Sequence, residues 1–195
     1  MVIKIRSLGL TGVEGYEVAA ECDLSGGLPA FDIVGLPDAA VKEARERVRA
    51  AIKNCGFAFP VSRITVNLAP AARRKAGTVY DLPILVGILA AGGQLRGDFS
   101  RAAFVGELSL AGELRSVAGM LPMAMAARRV GVEELYVPSD SAAEATLAGG
   151  PEIYPVADVP QLVRHFTGEE PISPAPRWEG AWEPEPGPDF AQVRG

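Results

Sequence analysis

The 195-residue chain has few of the residues from which most catalytic and metal sites are built. It contains one histidine, two cysteines and two tryptophans, and aromatic residues make up 7% of the sequence. Cys22 and Cys55 lack metal-ligand spacing and are typical of small buried residues in a reducing compartment. The histidine, His165, stands beside Phe166 and is interpreted as structural. The composition therefore predicts no metal site and no histidine catalysis.

Several motifs and segment types are also missing. There is no G-x-x-x-x-G-K-[ST] loop, so we do not expect this chain to bind and hydrolyse ATP in the P-loop manner. There is no Gly-x-Ser-x-Gly nucleophile turn. No apolar run reaches transmembrane length, and the N-terminus lacks a signal-peptide pattern. With 48% hydrophobic and 22% charged residues, the sequence predicts a cytoplasmic globular protein with one sizeable core and no membrane partner.

The clearest patterns of secondary structure lie between Gly27 and Pro83. Asp38 precedes a helical pattern and is predicted as an N-cap, and Gly56 as the C-terminal stop, which places a helix over Ala39–Asn54. Arg63–Leu68 alternates with period two and is predicted as a strand. Asp81 is predicted to cap a helix that is apolar on all sides, and therefore buried, up to Gly92.

Basic residues are concentrated in the same stretch. From Asp38 to Gly77 there are nine basic and three acidic residues, a local charge of +6 in a chain of −5. Such a patch can bind a polyanion even on an acidic protein. Three of these cations are consecutive in the predicted loop 71–77, where they are an electrostatic footprint for phosphate. A solvated helix face and a solvated loop are the alternatives for these charges.

The rest of the sequence predicts alternating strands and helices. Residues 2–24 read as a hairpin, 29–34 and 103–110 as strands, 113–117 as a strand pairing with the latter, 120–130 as a helix, 134–137 as a strand, 139–147 as a serine-capped helix, 152–156 as a strand and 158–166 as an Asp158-capped helix. This order predicts an α+β, or mixed α/β, domain over residues 1–168. Residues 169–188 are rich in proline and acidic residues and are predicted to be a linker outside the core, carrying Trp178 and Trp182.

One long run resembles a known family. GLPAFDIVGLPDAAVKEARERVRAAIKNCGFAFPVSRITVNLAPA, followed by Lys75, Gly77 and Asp81-Leu82-Pro83, closely resembles the N-terminal domain of the ComM/YifB family of magnesium-chelatase (ChlI)-like AAA+ ATPases. The resemblance covers about residues 1–168, and residues 189–195 look like the opening of that family's ATPase module. The chain is therefore expected to be an N-terminal piece of a larger ATPase, with ATP and magnesium bound by the ATPase module.

The resemblance also implies a fold and excludes one activity. The family's N-terminal domain shares its fold, the ribosomal-protein-S5-domain-2-like type, with the Lon protease domain and the RadA C-terminal domain. Lon-like proteases use a serine and a lysine, and the aligned positions here are Val79 and a position near Leu121. A valine cannot attack a carbonyl and a leucine cannot activate a hydroxyl, so we expect no peptidase activity and no catalytic residue in this chain.

The resemblance implies a ring-forming, hexameric, ATP-driven DNA helicase, for the best-known members a branch-migration motor of natural transformation. We expect this domain to help organise the ring and to contact single-stranded or branched DNA. Ala72 and Ala76 stand where family members commonly carry acids, which makes the loop more basic. An assembly or regulatory module without DNA contact is the first alternative, and an accessory to magnesium chelation the second. The expected phosphate contacts are Arg73, Arg74 and Lys75, with Arg63, Arg45, Arg49 and Lys53 as weaker additions.

Overall fold

A computed structural model describes residues 2–177 of the chain. Within these residues the strands are β1 (Val2–Thr11), β2 (Glu14–Ser25), β3 (Ala30–Val34), β4 (Arg63–Ala69), β5 (Ala102–Phe104), β6 (Glu107–Leu108), β7 (Leu114–Arg115), β8 (Glu134–Pro138) and β9 (Glu152–Val156). The α-helices are α1 (Ala39–Asn54), α2 (Asp81–Ala91), α3 (Met120–Arg129), α4 (Ala142–Thr146) and α5 (Val159–Thr167).

A seven-stranded sheet runs through the middle of the described residues, in the order β3-β4-β2-β1-β5-β8-β9. β2 is antiparallel to both of its neighbours, β1 and β4, whereas the pairs β3–β4, β1–β5, β5–β8 and β8–β9 are parallel. Six strands therefore share one direction, and β6 and β7 form a separate two-stranded sheet. This mixed arrangement confirms the predicted α+β, or mixed α/β, class.

The two faces of the sheet bury two separate cores. Ile5, on β1, belongs to the core that contains α1, α2 and α5, whereas Leu8 belongs to the core that contains α3 and α4. The same division separates Phe104 from Ala103 on β5, as the two-residue period of a strand requires. The fold therefore has three layers, with helices on both faces of the sheet.

α2 is the most buried helix, as its sequence predicts. All residues from Asp81 to Leu89 are buried, because the helix has no polar face that could meet water. The prediction for Asp81 itself is wrong, however. The N-cap residue is Tyr80, which makes no side-chain capping bond, and Asp81 is the first helical residue.

The Asp81 carboxylate forms a buried ion pair with Arg47 of α1. Arg47 Nε and Nη2 donate to its two oxygens at 2.6 and 2.9 Å. Leu108 N on β6 also donates to it, at 3.2 Å. The side chains are 17% and 1% exposed. Burial raises the pKa of Asp81, an effect that the Arg47 hydrogen bonds oppose, and the Asp81 hydrogen bond raises the pKa of Arg47. This pair joins α1, α2 and β6.

Three other boundaries differ from the sequence predictions. The predicted strand 103–110 is divided between β5 and β6, which lie in different sheets. The predicted helix 139–147 begins as a 3-10 turn over Ser139–Ser141 and has no serine capping bond. Ile172, in the predicted linker, is buried in the core around α2. The remaining linker from residue 178 onward, with Trp178 and Trp182, and the predicted module start at 189–195 lie outside the described residues.

Residues 169–177 are held against the domain by specific bonds. Ile172 N donates to His165 Nδ1 at 2.9 Å, and Ala175 N donates to Ile153 O on β9 at 2.7 Å. Because Nδ1 accepts this bond, the ring proton of His165 is assigned to Nε2, which lies 3.0 Å from the Tyr136 hydroxyl. His165 is thus part of the structure of this segment. Among the described residues, none of the helices is both long and apolar enough to cross a membrane.

Arg47→Met is expected to destabilise the chain by about 3–5 kcal/mol at neutral pH, because it leaves the Asp81 carboxylate buried without its partner. The loss should be smaller at pH 5. Without Arg47 the raised pKa of Asp81 rises further, so the folded state takes up a proton that the unfolded state does not, and stability is regained as pH falls. Urea unfolding at pH 8 and pH 5 measures both effects.

Lys42→Met, at an exposed position of the same helix, is the control and should change stability by less than ~0.5 kcal/mol. A loss below ~1 kcal/mol for Arg47→Met, the range of exposed pairs, would contradict the importance of the buried pair.

Candidate functional site

The candidate site is formed by two loops at the carboxyl ends of the neighbouring parallel strands β3 and β4. Residues 35–38 follow β3 and lead into α1, and residues 70–77 follow β4. In open α/β sheets the crevice outside the carboxyl ends of parallel strands is the usual ligand position. The two loops therefore occupy the position where such a sheet usually binds its ligand.

Backbone hydrogen bonds tie the two loops together. Lys75 N donates to Leu36 O at 3.1 Å, and Asp38 N donates to Lys75 O at 2.9 Å. The Asp38 carboxylate adds two bonds, since Oδ1 accepts from Val41 N at 2.8 Å and Oδ2 accepts from Gly77 N at 3.2 Å. Asp38 therefore caps α1, as predicted, and also holds the second loop. We call residues 36–38 and 75–77, joined in this way, the loop clamp.

The first loop adopts a backbone conformation that few residues tolerate. Gly35 has φ of +99°, and a Cβ there would lie 2.2 Å from Leu68 O, so no side chain fits. Leu36 follows with φ of +58°, in the left-handed region that costs an L-residue roughly 1–2 kcal/mol. The Leu36 side chain is nevertheless 56% exposed. Strain of this kind clusters at functional sites.

Lys75 does not lie where the sequence predicts. Its side chain is fully buried, and Nζ donates a hydrogen bond to Pro70 O. Burial lowers its pKa, because the charged form loses its hydration. The expectation of three exposed cations in this loop is therefore wrong for Lys75, whose ammonium points into the protein and is not presented to a phosphate.

Arg73 and Arg74 are exposed, and Tyr16 of β2 supports both of them. The Arg73 guanidinium carbon lies 4.6 Å from the centre of the Tyr16 ring. The Tyr16 hydroxyl donates to Arg74 O at 3.1 Å. A cation stacked on an aromatic ring keeps its edge N–H groups free for an anion. A depression of about 440 Å³ lies beside the two arginines, between this loop and the β1–β2 turn, where Glu14 contributes an acid to its lining.

The four weaker candidates lie elsewhere. Arg49 stacks on Phe59 at 4.8 Å and lines a groove with Lys53. Arg63 pairs with Asp32 at 3.5 Å. Arg45 donates to Lys42 O and Phe31 O. Arg63 begins β4 and Arg73 follows its end, so about 20 Å of strand separates the two groups. Because Lys75 is buried and Arg47 is paired with Asp81, the local charge of +6 does not form one surface.

Sequence reasoning missed two parts of this site. Tyr16 stands 58 residues from Arg74, and no local pattern links them. Leu36 is an apolar residue that gives no indication of a strained, exposed position. The sequence predicts the Asp38 cap, but the bond from Gly77 N to Asp38 depends on the pairing of β3 with β4. Among the described residues, there is no group of three or more histidine, cysteine or acidic side chains placed to hold a metal ion.

Comparison with known proteins places the chain in a family. Residues 20–141, which include both loops of the clamp, match the family described as subunit ChlI of Mg-chelatase. The chain belongs to this family. This match, together with the relatives below, confirms the resemblance predicted from the sequence.

Three relatives show how far the similarity extends. Competence protein ComM of Haemophilus influenzae is 43% identical over 169 residues, which cover 86% of this chain and 33% of that protein. YifB of Salmonella typhimurium is 45% identical over 144 residues, 73% of this chain and 28% of that protein. An uncharacterized protein of Mycobacterium tuberculosis is 41% identical over 165 residues, which cover 83% of this chain and 32% of that protein. The chain thus spans about a third of the length of these relatives.

Burial of Lys75 predicts a specific pH dependence of stability. Since its pKa is lowered in the folded state, the penalty for burying the charge decreases as pH rises through the folded pKa towards the ordinary value of about 10.4. Wild type should therefore gain stability relative to Lys75→Met between pH 8 and about pH 10.5, measured by urea unfolding. Lys53→Met, at an exposed position, should show no such trend. A difference between wild type and Lys75→Met that stays constant with pH would show that the ammonium is not desolvated.

Proposed function

We propose that this chain is the N-terminal module of a ring-forming AAA+ ATPase of the ComM/YifB type that acts on DNA. The module contributes DNA contacts and helps to organise the ring, and it performs no chemistry of its own. Membership of the ChlI family and the similarity to Competence protein ComM support the proposal. ATP and magnesium belong to the ATPase module of the proposed parent, since the 195 residues contain no P-loop motif. The cytoplasm is the proposed location.

The observation that carries the DNA contact is the placement of Arg73 and Arg74. Both are exposed next to each other on a loop that the clamp and Tyr16 hold in place. Guanidinium groups bind phosphate oxygens in a bidentate manner. A fixed loop loses less conformational entropy on binding than a free one. Residues 71–77 carry no acidic side chain, although Glu14 of the β1–β2 turn lines the depression beside the two arginines.

A second function, an assembly module without DNA contact, is favoured by a different surface. Large apolar side chains are exposed at and beside β3, at the edge of the sheet: Leu28, Val34, Leu36 and Val61. Exposed apolar residues along an open sheet edge are a mark of protein interfaces. The domain through residue 168 is also close to neutral, which suits protein contact better than contact with a polyanion. The magnesium-chelation alternative has no supporting site among the described residues.

The DNA contact is tested by fluorescence anisotropy of the 195-residue chain with labelled single-stranded and forked DNA at two salt concentrations. Arg73→Ala/Arg74→Ala should weaken binding and lower the slope of log K against log salt by about 1.4 on single strands, the value for two lost phosphate contacts. Lys42→Ala, which removes an exposed cation outside both candidate groups, is the control and should leave the slope within error.

An unchanged affinity and slope for the double variant would overturn the assignment of these arginines. If wild type does not bind at low salt, DNA contact belongs to other parts of the parent protein, and the assembly function replaces the proposed one.

A further inference from the structure

The two edges of the seven-stranded sheet differ in what covers them. At β9, the chain's own residues 169–177 lie against the edge through the bond from Ala175 N to Ile153 O. β3 pairs with β4 on one side, and the described residues provide no strand on its other side. Leu28 and Val61 beside this edge are each 88% exposed. An open edge with exposed apolar residues is a surface on which another chain can dock.

A groove at the start of β3 has a defined chemical character. Its volume is about 250 Å³, closer to a single aromatic side chain than to a drug-sized ligand. Phe59 lies in its lining and packs 6.0 Å from Phe31 by ring centres. Arg49 stacks on Phe59, and the lining contains no acidic residue. We call this the β3 groove, defined by its main lining residues Pro29, Arg49, Lys53, Phe59, Pro60 and Val61.

The lining residues of the β3 groove favour a ligand that combines an aromatic ring with a carboxylate. Proline rings, Phe59 and Val61 offer apolar contact. The exposed Arg49 guanidinium, which stacks on Phe59 and lines the same groove, can attract a further ring. The Lys53 ammonium and the edge of the Arg49 guanidinium attract a carboxylate beside that ring. A tryptophan adjacent to a glutamate satisfies both requirements.

The chain itself carries this combination twice, as Trp178-Glu179 and Trp182-Glu183. These are its only two tryptophans. Residues 178–188 contain three glutamates and no basic residue, so their charge is opposite to that of the groove. This segment follows directly on Arg177, which lies beside β9 and lines a surface depression with Glu133 and Glu152.

The two tryptophans are too close to Arg177 along the chain to reach the groove of their own copy. β9 and β3 are opposite edges of the sheet, six inter-strand spacings or about 29 Å apart. Trp182 is five residues beyond Arg177, a reach of at most about 18 Å when fully extended. A Trp-Glu pair can therefore enter the β3 groove only of another copy.

We propose that the Trp-Glu segment of residues 178–183 docks in the β3 groove of a second copy of this chain. The contact joins two different surfaces, so it is head-to-tail, and such contacts close into rings when the rotation between copies permits. The proposal deepens the ring-organising part of the proposed function. It does not depend on DNA contact by Arg73 and Arg74, because its test uses no DNA.

The test uses the full 195-residue chain, whose intrinsic tryptophan fluorescence reports only on this segment. As protein concentration rises, we expect tryptophan emission to shift to shorter wavelength in step with an increase in mass measured by sedimentation. Arg49→Glu should weaken this self-association by about tenfold or more, since a like charge then faces Glu179 or Glu183. Trp178→Ala/Trp182→Ala should weaken it as well.

Lys42→Glu is the matched control, because it makes the same charge reversal on α1 two turns from Arg49 and outside the groove. It should retain self-association, and circular dichroism checks that each variant is folded. A chain that stays monomeric overturns the proposal. Self-association that is insensitive to Arg49→Glu also overturns it. A short-wavelength emission that is independent of concentration would place the tryptophans on their own domain and would overturn it as well. Loss of DNA binding by the Arg73/Arg74 variant with intact self-association would leave the proposal standing.

Discussion

The carboxylate of Asp38 is the contact on which the candidate site depends. One oxygen caps α1 and the other holds Gly77, so a single side chain fixes both the start of a helix and the end of a loop from another strand. The backbone bonds between Lys75 and residues 36 and 38 complete the connection. Because β3 and β4 are parallel neighbours, their following loops emerge side by side, and the clamp converts this proximity into a fixed geometry.

The clamp also explains how three consecutive cations come to have different roles. The strand-like bridge between Pro37 and Lys75 draws Lys75 into the protein, where a carbonyl replaces water as its partner. Arg73 and Arg74, just before the bridge, remain exposed. The Arg73 guanidinium stacks on the Tyr16 ring, and the Tyr16 hydroxyl donates to Arg74 O. A buried ammonium is costly to desolvate, so we interpret Lys75 as part of the loop's structure, and the two arginines as its available charges.

The sequence predicts elements whose determinants are local and misses features that depend on distant residues. The sequence predicts α1 at Ala39–Asn54 because its apolar period and its Asp38 cap lie within one segment. β9 also lies where the sequence predicts a strand, over Glu152–Val156. The role of Asp81 depends on Arg47, 34 residues away, and that of Tyr16 on a loop 58 residues away. Composition predicts that Ile172 lies in a linker, because it cannot show that His165 accepts the Ile172 N–H.

We propose that DNA meets this chain at the loop held by the clamp. Amide hydrogen exchange of the 195-residue chain, with and without forked DNA, tests it most directly, since it locates contact without altering any side chain. We expect slowed exchange within residues 71–77 and in the β1–β2 turn beside them, with no change at the end of α1. Slowed exchange around Arg49 and Lys53 alone, or no change anywhere despite binding conditions at low salt, would contradict it.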